Sequence, residues 1–192
     1  ADTFYGVTTD SQGNVFAAGV SNTDFYIVKY DPSGATSTSW GTNPKYYDNV
    51  NAGNFYDIAT NAQGDIFAAG VNNNNFYLVK YDSTGATSTN WGTNPKYFDN
   101  SSIDMFYTVA SNAEGEVFAA GRSNNDFYIV KYDFTGATST DWGTNPKYFN
   151  NAGADIFYDV TTDAKGDIFV AGYSNGGDFY IVKYDSTGAT ST

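Results

Sequence analysis

The chain has 192 residues, enough for one domain with a sizeable core or for a modest repeat array. Its 21 acidic and 9 basic side chains leave a net charge of −12, which argues against nucleic acid or an anionic membrane as partner, since both demand a basic surface. With no Cys and no His, it is denied disulfides, zinc sites of the usual kind, thiol nucleophiles and Ser-His-Asp triads.

Aromatics make up 18% of the residues, while Leu and Met occur once each. That bias, with Gly, Asn and Thr between the apolar runs, favours strands and tight turns over helices. No apolar run is long enough to span a membrane. The chain begins Ala1-Asp2-Thr3 without an initiator Met, so any targeting segment is expected to have been removed or never to have been part of this sequence.

In chain order the elements recur every 51 residues, with Phe-Tyr pairs at Phe4, Phe55, Phe106 and Phe157 and tryptophans at Trp40, Trp91 and Trp142. Within one unit, residues 55–60 read as a first strand ending in a turn at Gly64, which supplies the positive φ a hairpin needs. Residues 65–70 form a second strand whose Ala-Ala-Gly allows close backbone approach. A polar loop at 72–75 leads to a third strand, 76–81, which is apolar on both sides of its alternation, as expected where both faces of a sheet are covered. A turn through Gly85 and a Thr/Ser stretch lead past Trp91 to a fourth strand at 96–99.

Four strands in each unit of this period predict an all-β β-propeller of four 51-residue blades, with a β-solenoid as the main rival. The expected single domain covers 1–192, with repeats at 4–54, 55–105, 106–156 and 157–192. The last blade lacks its outer strand, because the sequence stops at Thr192, short of a fourth tryptophan.

Tyr30-Asp31-Pro32-Ser33-Gly34 followed by Thr38-Ser39-Trp40-Gly41-Thr42 resembles the bacterial delta-sixty repeat, and Gln63-Gly64-Asp65-Ile66-Phe67-Ala68-Ala69-Gly70 resembles another part of it. The unit is also similar to the repeat named for bacterial seven-bladed propellers. Trp stands here where Phe is common in the family. The resemblance implies a large secreted or surface protein of bacteria, and it brings no catalytic residues.

A last blade without its outer strand exposes the edge of its third strand, where Phe179, Ile181 and Lys183 form the candidate assembly edge. Three explanations stay open: the blade tolerates three strands, a neighbouring subunit or peptide lends one, or the chain is a segment of a longer array. Closure is likewise open between a four-bladed ring and two chains in one eight-bladed ring.

Lys29, Lys80, Lys131 and Lys183 lie inside apolar strands and are expected to lay their stems over aromatic neighbours and pair with carboxylates, rather than grip an anion. Asp10, Asn61, Asn112 and Asp163, with Asp31, Asp82, Asp133 and Asp185, precede turn glycines and are expected to bond their own turn backbone rather than calcium. Asp57 and Asp159, replaced by Gly6 and Thr108 in the other copies, are the one candidate acid–base pair, a glycosidase-like arrangement across an axis. The best binding candidate is the repeated polar loop with Asn22, Asp24, Asn73, Asn75, Asn124, Asp126, Asn175 and Asp178, whose Asn/Asp beside Phe-Tyr suits sugar recognition with avidity.

Near-equivalent copies suit a protein valued for repetition. The expected function is therefore a non-catalytic extracellular scaffold, secreted or on the cell surface, that self-associates into an oligomer or filament through blade edges or faces. The alternative is a multivalent lectin-like module. The expected partners are the chain itself or a strand donor, and glycans on the second reading. Neither cofactor nor metal is expected.

Overall fold

The computed structural model describes residues 2–47, 53–99, 102–150, 153–174 and 177–190. Among them, regular structure is all strand. The first sheet holds β1 (Asp2–Thr9), β2 (Val15–Ser21), β3 (Asp24–Tyr30) and β4 (Lys45–Tyr47). The second holds β5 (Gly53–Thr60), β6 (Ile66–Asn72), β7 (Asn75–Tyr81) and β8 (Lys96–Phe98). The third holds β9 (Asp104–Ser111), β10 (Val117–Ser123), β11 (Asp126–Tyr132) and β12 (Lys147–Phe149), and the fourth only β13 (Ile156–Thr162), β14 (Ile168–Ser174) and β15 (Asp178–Tyr184). Every sheet is an antiparallel meander in chain order.

The local reasons are turn chemistry. Asn61 Oδ1 accepts the N–H groups of Gln63 and Asp65 at 3.0 and 2.9 Å, and Gly64 takes φ +80°, which closes the β5–β6 hairpin. The third strand meets only three residues of the fourth, and a side chain completes its edge. Asn43 Oδ1 accepts the Lys29 N–H at 3.0 Å while its Nδ2 donates to the Lys29 carbonyl at 2.8 Å, so the amide replaces a strand partner. Asn94 and Asn145 repeat this at Lys80 and Lys131.

The Ala-Ala-Gly motif has a definite task. A Cβ on Gly70 would lie 1.9 Å from the Asn54 carbonyl oxygen, and opposite it the register slips between Phe55 and Asp57. The missing Cβ thus permits a bulge at Tyr56, and the same slip recurs at Tyr5, Tyr107 and Tyr158.

The sheets stand side by side, with β1, β5, β9 and β13 adjoining in that order. Three cores fill the three spaces between them, each made from one face of a sheet and the opposing face of the next. Both faces of β7 and β11 are covered, which is why the third strand shows no alternation. The sheet row does not close on itself among the described residues: β1 and β13 are not packed together, and Val7 and Phe179 at its two ends are exposed.

Candidate functional site

The first three repeated polar loops are two-residue hairpin turns, and the fourth has one residue more between its paired ends. Ser21 pairs with Asp24, Asn72 with Asn75, Ser123 with Asp126 and Ser174 with Asp178. Asn22, Asn73, Asn74 and Asn124 take φ of 61°, 50°, 66° and 58°, the left-handed region that Asn tolerates best after Gly. Much of the asparagine content here therefore answers a backbone demand. The structure brings Asn73, Asn75 and Asn124 to one open polar cleft of about 520 Å³, with Asp99, Ser102 and Ile103. Asn75 is itself buried and donates to the Tyr97 hydroxyl. Asn22, Asp24, Asp126 and Asp178 sit on their own hairpins outside that cleft, and Asn175 lies outside the described residues.

The strand lysines are structural. Lys80 pairs with Asp65 at 2.8 Å, Lys131 with Glu116 at 2.8 Å and Lys183 with Asp167 at 2.6 Å, and each Nζ lies over a Phe ring of the second strand. A hydrogen bond to Asp167 raises the Lys183 ammonium above the usual lysine range. The turn carboxylates are held the same way: Asp31 accepts from Ser33 and Ala35, and Asp185 from Thr187 and Ala189.

Asp57 and Asp159 lie on β5 and β13, with β9 between them, and Thr108 occupies the equivalent position on β9. Asp57 Oδ2 accepts the Thr108 hydroxyl at 3.0 Å and the Val109 N–H at 2.9 Å, and Oδ1 accepts the Ile58 N–H at 2.8 Å. Thr108 Oγ1 in turn accepts the Val160 N–H at 3.2 Å. Burial pushes the Asp57 carboxyl above its usual range, against the pull of these bonds, and Asp159 is near enough for its charge to add to that rise. This position clamps β5 to β9 and β9 to β13.

Two further ladders escaped the reading of the sequence. Thr60 Oγ1 donates to the Thr9 carbonyl at 2.9 Å, Ser111 Oγ to Thr60 at 3.0 Å and Thr162 Oγ1 to Ser111 at 3.3 Å. The bulge tyrosines Tyr5, Tyr56, Tyr107 and Tyr158 form a row with ring centroids 5.5, 5.2 and 5.4 Å apart. The signal for both was present in the sequence as hydroxyl and phenol positions spaced by one repeat.

The interior faces share one anchor. Phe25 packs on Phe55 and Tyr77 with centroids at 4.4 and 4.5 Å, Phe76 on Phe106 and Tyr128 at 4.3 Å each, and Phe127 on Phe157 and Tyr180 at 4.3 and 4.6 Å. These three phenylalanines are at most 1% exposed, whereas their fourth counterpart, Phe179, is 101% exposed. Alternation puts Phe179, Ile181 and Lys183 on one face of β15. The residues named for the edge thus belong to a sheet face.

Residues 147–180, which run from β12 into β15, match the family described as beta-propeller repeat. Over that segment the sequence is similar to a β-propeller repeat. Among solved structures, the protein is similar to a chain of a nidogen/laminin complex, with TM-score 0.64 and 13% identity over 99% of this chain and 64% of that one. It is also similar to a protein from Lactobacillus plantarum, with TM-score 0.50 and 12% identity over 94% of this chain and 65% of that one. The chain therefore spans less than two thirds of the length of either, and at these identities the likeness concerns the fold. No curated protein matches it.

Proposed function

We propose that this chain is a non-catalytic extracellular scaffold of four 51-residue blades, of the bacterial delta-sixty or seven-bladed-propeller type, which self-associates through blade faces or edges. The observation that carries the reading is the contrast at one repeat position. Phe25, Phe76 and Phe127 are buried between blades, while Phe179 and Ile181 of the last blade are 101% and 74% exposed on a three-stranded sheet. Contiguous exposed apolar surface of this kind marks an interaction site. Of the candidate acid–base pair, Asp57 is taken up by the clamp between inner strands, which favours a structural role for it over chemistry. Light scattering and negative-stain imaging over a concentration series test the scaffold directly. Discrete assemblies or filaments are expected, and a species that stays monomeric at the highest concentration overturns it.

A second reading, a multivalent carbohydrate-binding module, rests on the polar cleft where Asn73, Asn75, Asn124 and Asp99 meet. A glycan array with and without calcium tests it, and an absence of hits removes it.

A further inference from the structure

We infer that the outer face of the last blade docks head to tail on the first blade of a second copy of this chain, rebuilding the contact that the chain already makes three times within itself. This rests on the scaffold reading and fixes which surfaces meet. The argument is continuity with the interior interfaces: each end of the blade row presents one half of them.

The apolar halves match. Each interior contact seats a phenylalanine of the third strand against a Phe–Tyr pair of the next blade. The first blade carries the same pair, Phe4 and Tyr26, with centroids 5.6 Å apart, and among the described residues no other sheet packs on that side of it. Phe4 and Tyr26 line an open cleft of about 270 Å³ together with Val20, Tyr30 and Tyr46. Among the described residues, Phe179 is the projecting side chain with no seat, and Phe4–Tyr26 is the seat with no side chain in it. Val7 on the first blade is 69% exposed, whereas its counterparts Ile58, Val109 and Val160 are at most 5% exposed against the blade before them.

The polar halves match as well. The clamp position passes from Asp57 to Thr108 and Val109, then from Thr108 to Val160, and stops at the exposed carboxylate of Asp159. The next donor in that series is the Val7 N–H of a second copy, beside Gly6, which has no side chain to crowd the carboxylate. In the hydroxyl ladder, Thr162 supplies the next carbonyl and Thr9 the next hydroxyl. The tyrosine row continues from Tyr158 to Tyr5. Donors stand at one end and acceptors at the other in the same order. The contact is therefore heterologous, and made reciprocally it joins two chains in one ring.

One element differs. Trp40, Trp91 and Trp142 each lie under the turn glycine of the following blade, where a Cβ on Gly85, Gly136 or Gly188 would come within 2.5 Å of the Trp carbonyl oxygen, while Gly34 on the first blade has open space.

Two variants test the pairing, both at exposed positions that leave the interior cores intact: Phe179→Glu on the last blade and Val7→Asp on the first. Circular dichroism of each is expected to match the parent. Each alone is expected to weaken self-association about a hundredfold, as loss of a central anchor does. Mixed in equal amounts, the two leave one intact pair of faces, so a capped one-to-one dimer is expected by analytical ultracentrifugation. A parent that assembles while either variant assembles equally well overturns head-to-tail docking and leaves the scaffold reading to the β15 edge. Variants that are blocked but do not complement each other also overturn it. A parent that is monomeric throughout overturns both.

Discussion

The hydroxyl of Thr108 lies 3.0 Å from Oδ2 of Asp57, one repeat earlier in the sequence, and the same hydroxyl accepts the Val160 N–H at 3.2 Å from the repeat that follows. Through this link a side chain from one inner strand satisfies the backbone of the next, so the inner strands hold each other. Asp57→Ala removes the acceptor of both the Thr108 hydroxyl and the half-enclosed Val109 N–H. Leaving such groups unmet costs about 1–3 kcal/mol. Urea unfolding is expected to show that loss, with a smaller one for Asp57→Thr, which restores the arrangement found at Thr108. Equal losses for the two variants would count against the clamp.

The architecture was legible in the sequence where the repeat repeats a backbone demand. Gly64, Gly70 and the alternation-free strand 76–81 each point to one local geometry, and all three geometries are present. The loop asparagines were harder to read, because a left-handed φ and a ligand contact call for the same residue. Asn22 serves the turn, while Asn73 and Asn124 serve the turn and also line the cleft. The clamp was hidden by its variety: Gly6, Asp57, Thr108 and Asp159 share a place but not a chemistry, and only the spatial order of the inner strands shows what they do. Phe179, picked out for its edge, sits on the edge strand β15 and also on its exposed face.

The same repeat position predicts two different stability effects. Phe127 is buried against Phe157 and Tyr180, and Phe127→Ala is expected to cost about 3–5 kcal/mol, as large-to-small changes at buried aromatics do. Phe179→Ala removes an exposed ring and is expected to leave monomer stability unchanged within about 0.5 kcal/mol. Thermal unfolding of dilute samples separates the two. A comparable cost at Phe179 would mean that its face is already covered in the monomer.

Carboxylates with opposite shifts predict a divided acid response. Hydrogen bonds, first those from Ser33 and Thr187, hold Asp31 and Asp185 below the ordinary value of 3.8, so their contribution is present above that pH and is lost as pH falls below it. Asp57 is raised by burial, so its native carboxyl binds a proton more tightly than the unfolded one, and its contribution falls as pH rises through and above 3.8. Unfolding of Asp57→Asn followed between pH 3 and 7, roughly the range in which shifted carboxylates titrate, is expected to show the variant gaining on the parent as pH rises. A constant difference would place Asp57 in water.

Burial pushes the Tyr81, Tyr132 and Tyr184 phenols up to about 12, from an ordinary 10.0. Each packs on a tryptophan of the preceding blade: Tyr81 on Trp40, Tyr132 on Trp91 and Tyr184 on Trp142. The unfolded chain releases these protons first, so stability is complete below pH 10.0 and declines as pH rises towards about 12. Tyrosinate absorbance is expected to show a late stage, in which Tyr81, Tyr132 and Tyr184 ionise together with loss of the tryptophan environment. A single smooth titration with tryptophan fluorescence unchanged would contradict this packing.

The third strand of each complete blade is finished by a fourth strand of three residues and by an asparagine amide, as Asn94 does for Lys80. β15 has neither among the described residues, although Phe179, Tyr180 and Ile181 repeat the residues that pair with the fourth strand elsewhere. A synthetic peptide with the sequence of residues 90–98 carries all three devices: the tryptophan, the asparagine and the pairing segment Lys-Tyr-Phe. Added in excess, it is expected to lay its last residues along the edge of β15 by main-chain hydrogen bonds, place its asparagine at the Lys183 backbone and slow amide exchange there. A peptide with that asparagine replaced by Ala is expected to bind several-fold more weakly, because one side chain then fails to meet both a donor and an acceptor. Equal binding by the two peptides would show adhesion to the apolar face rather than completion of the sheet.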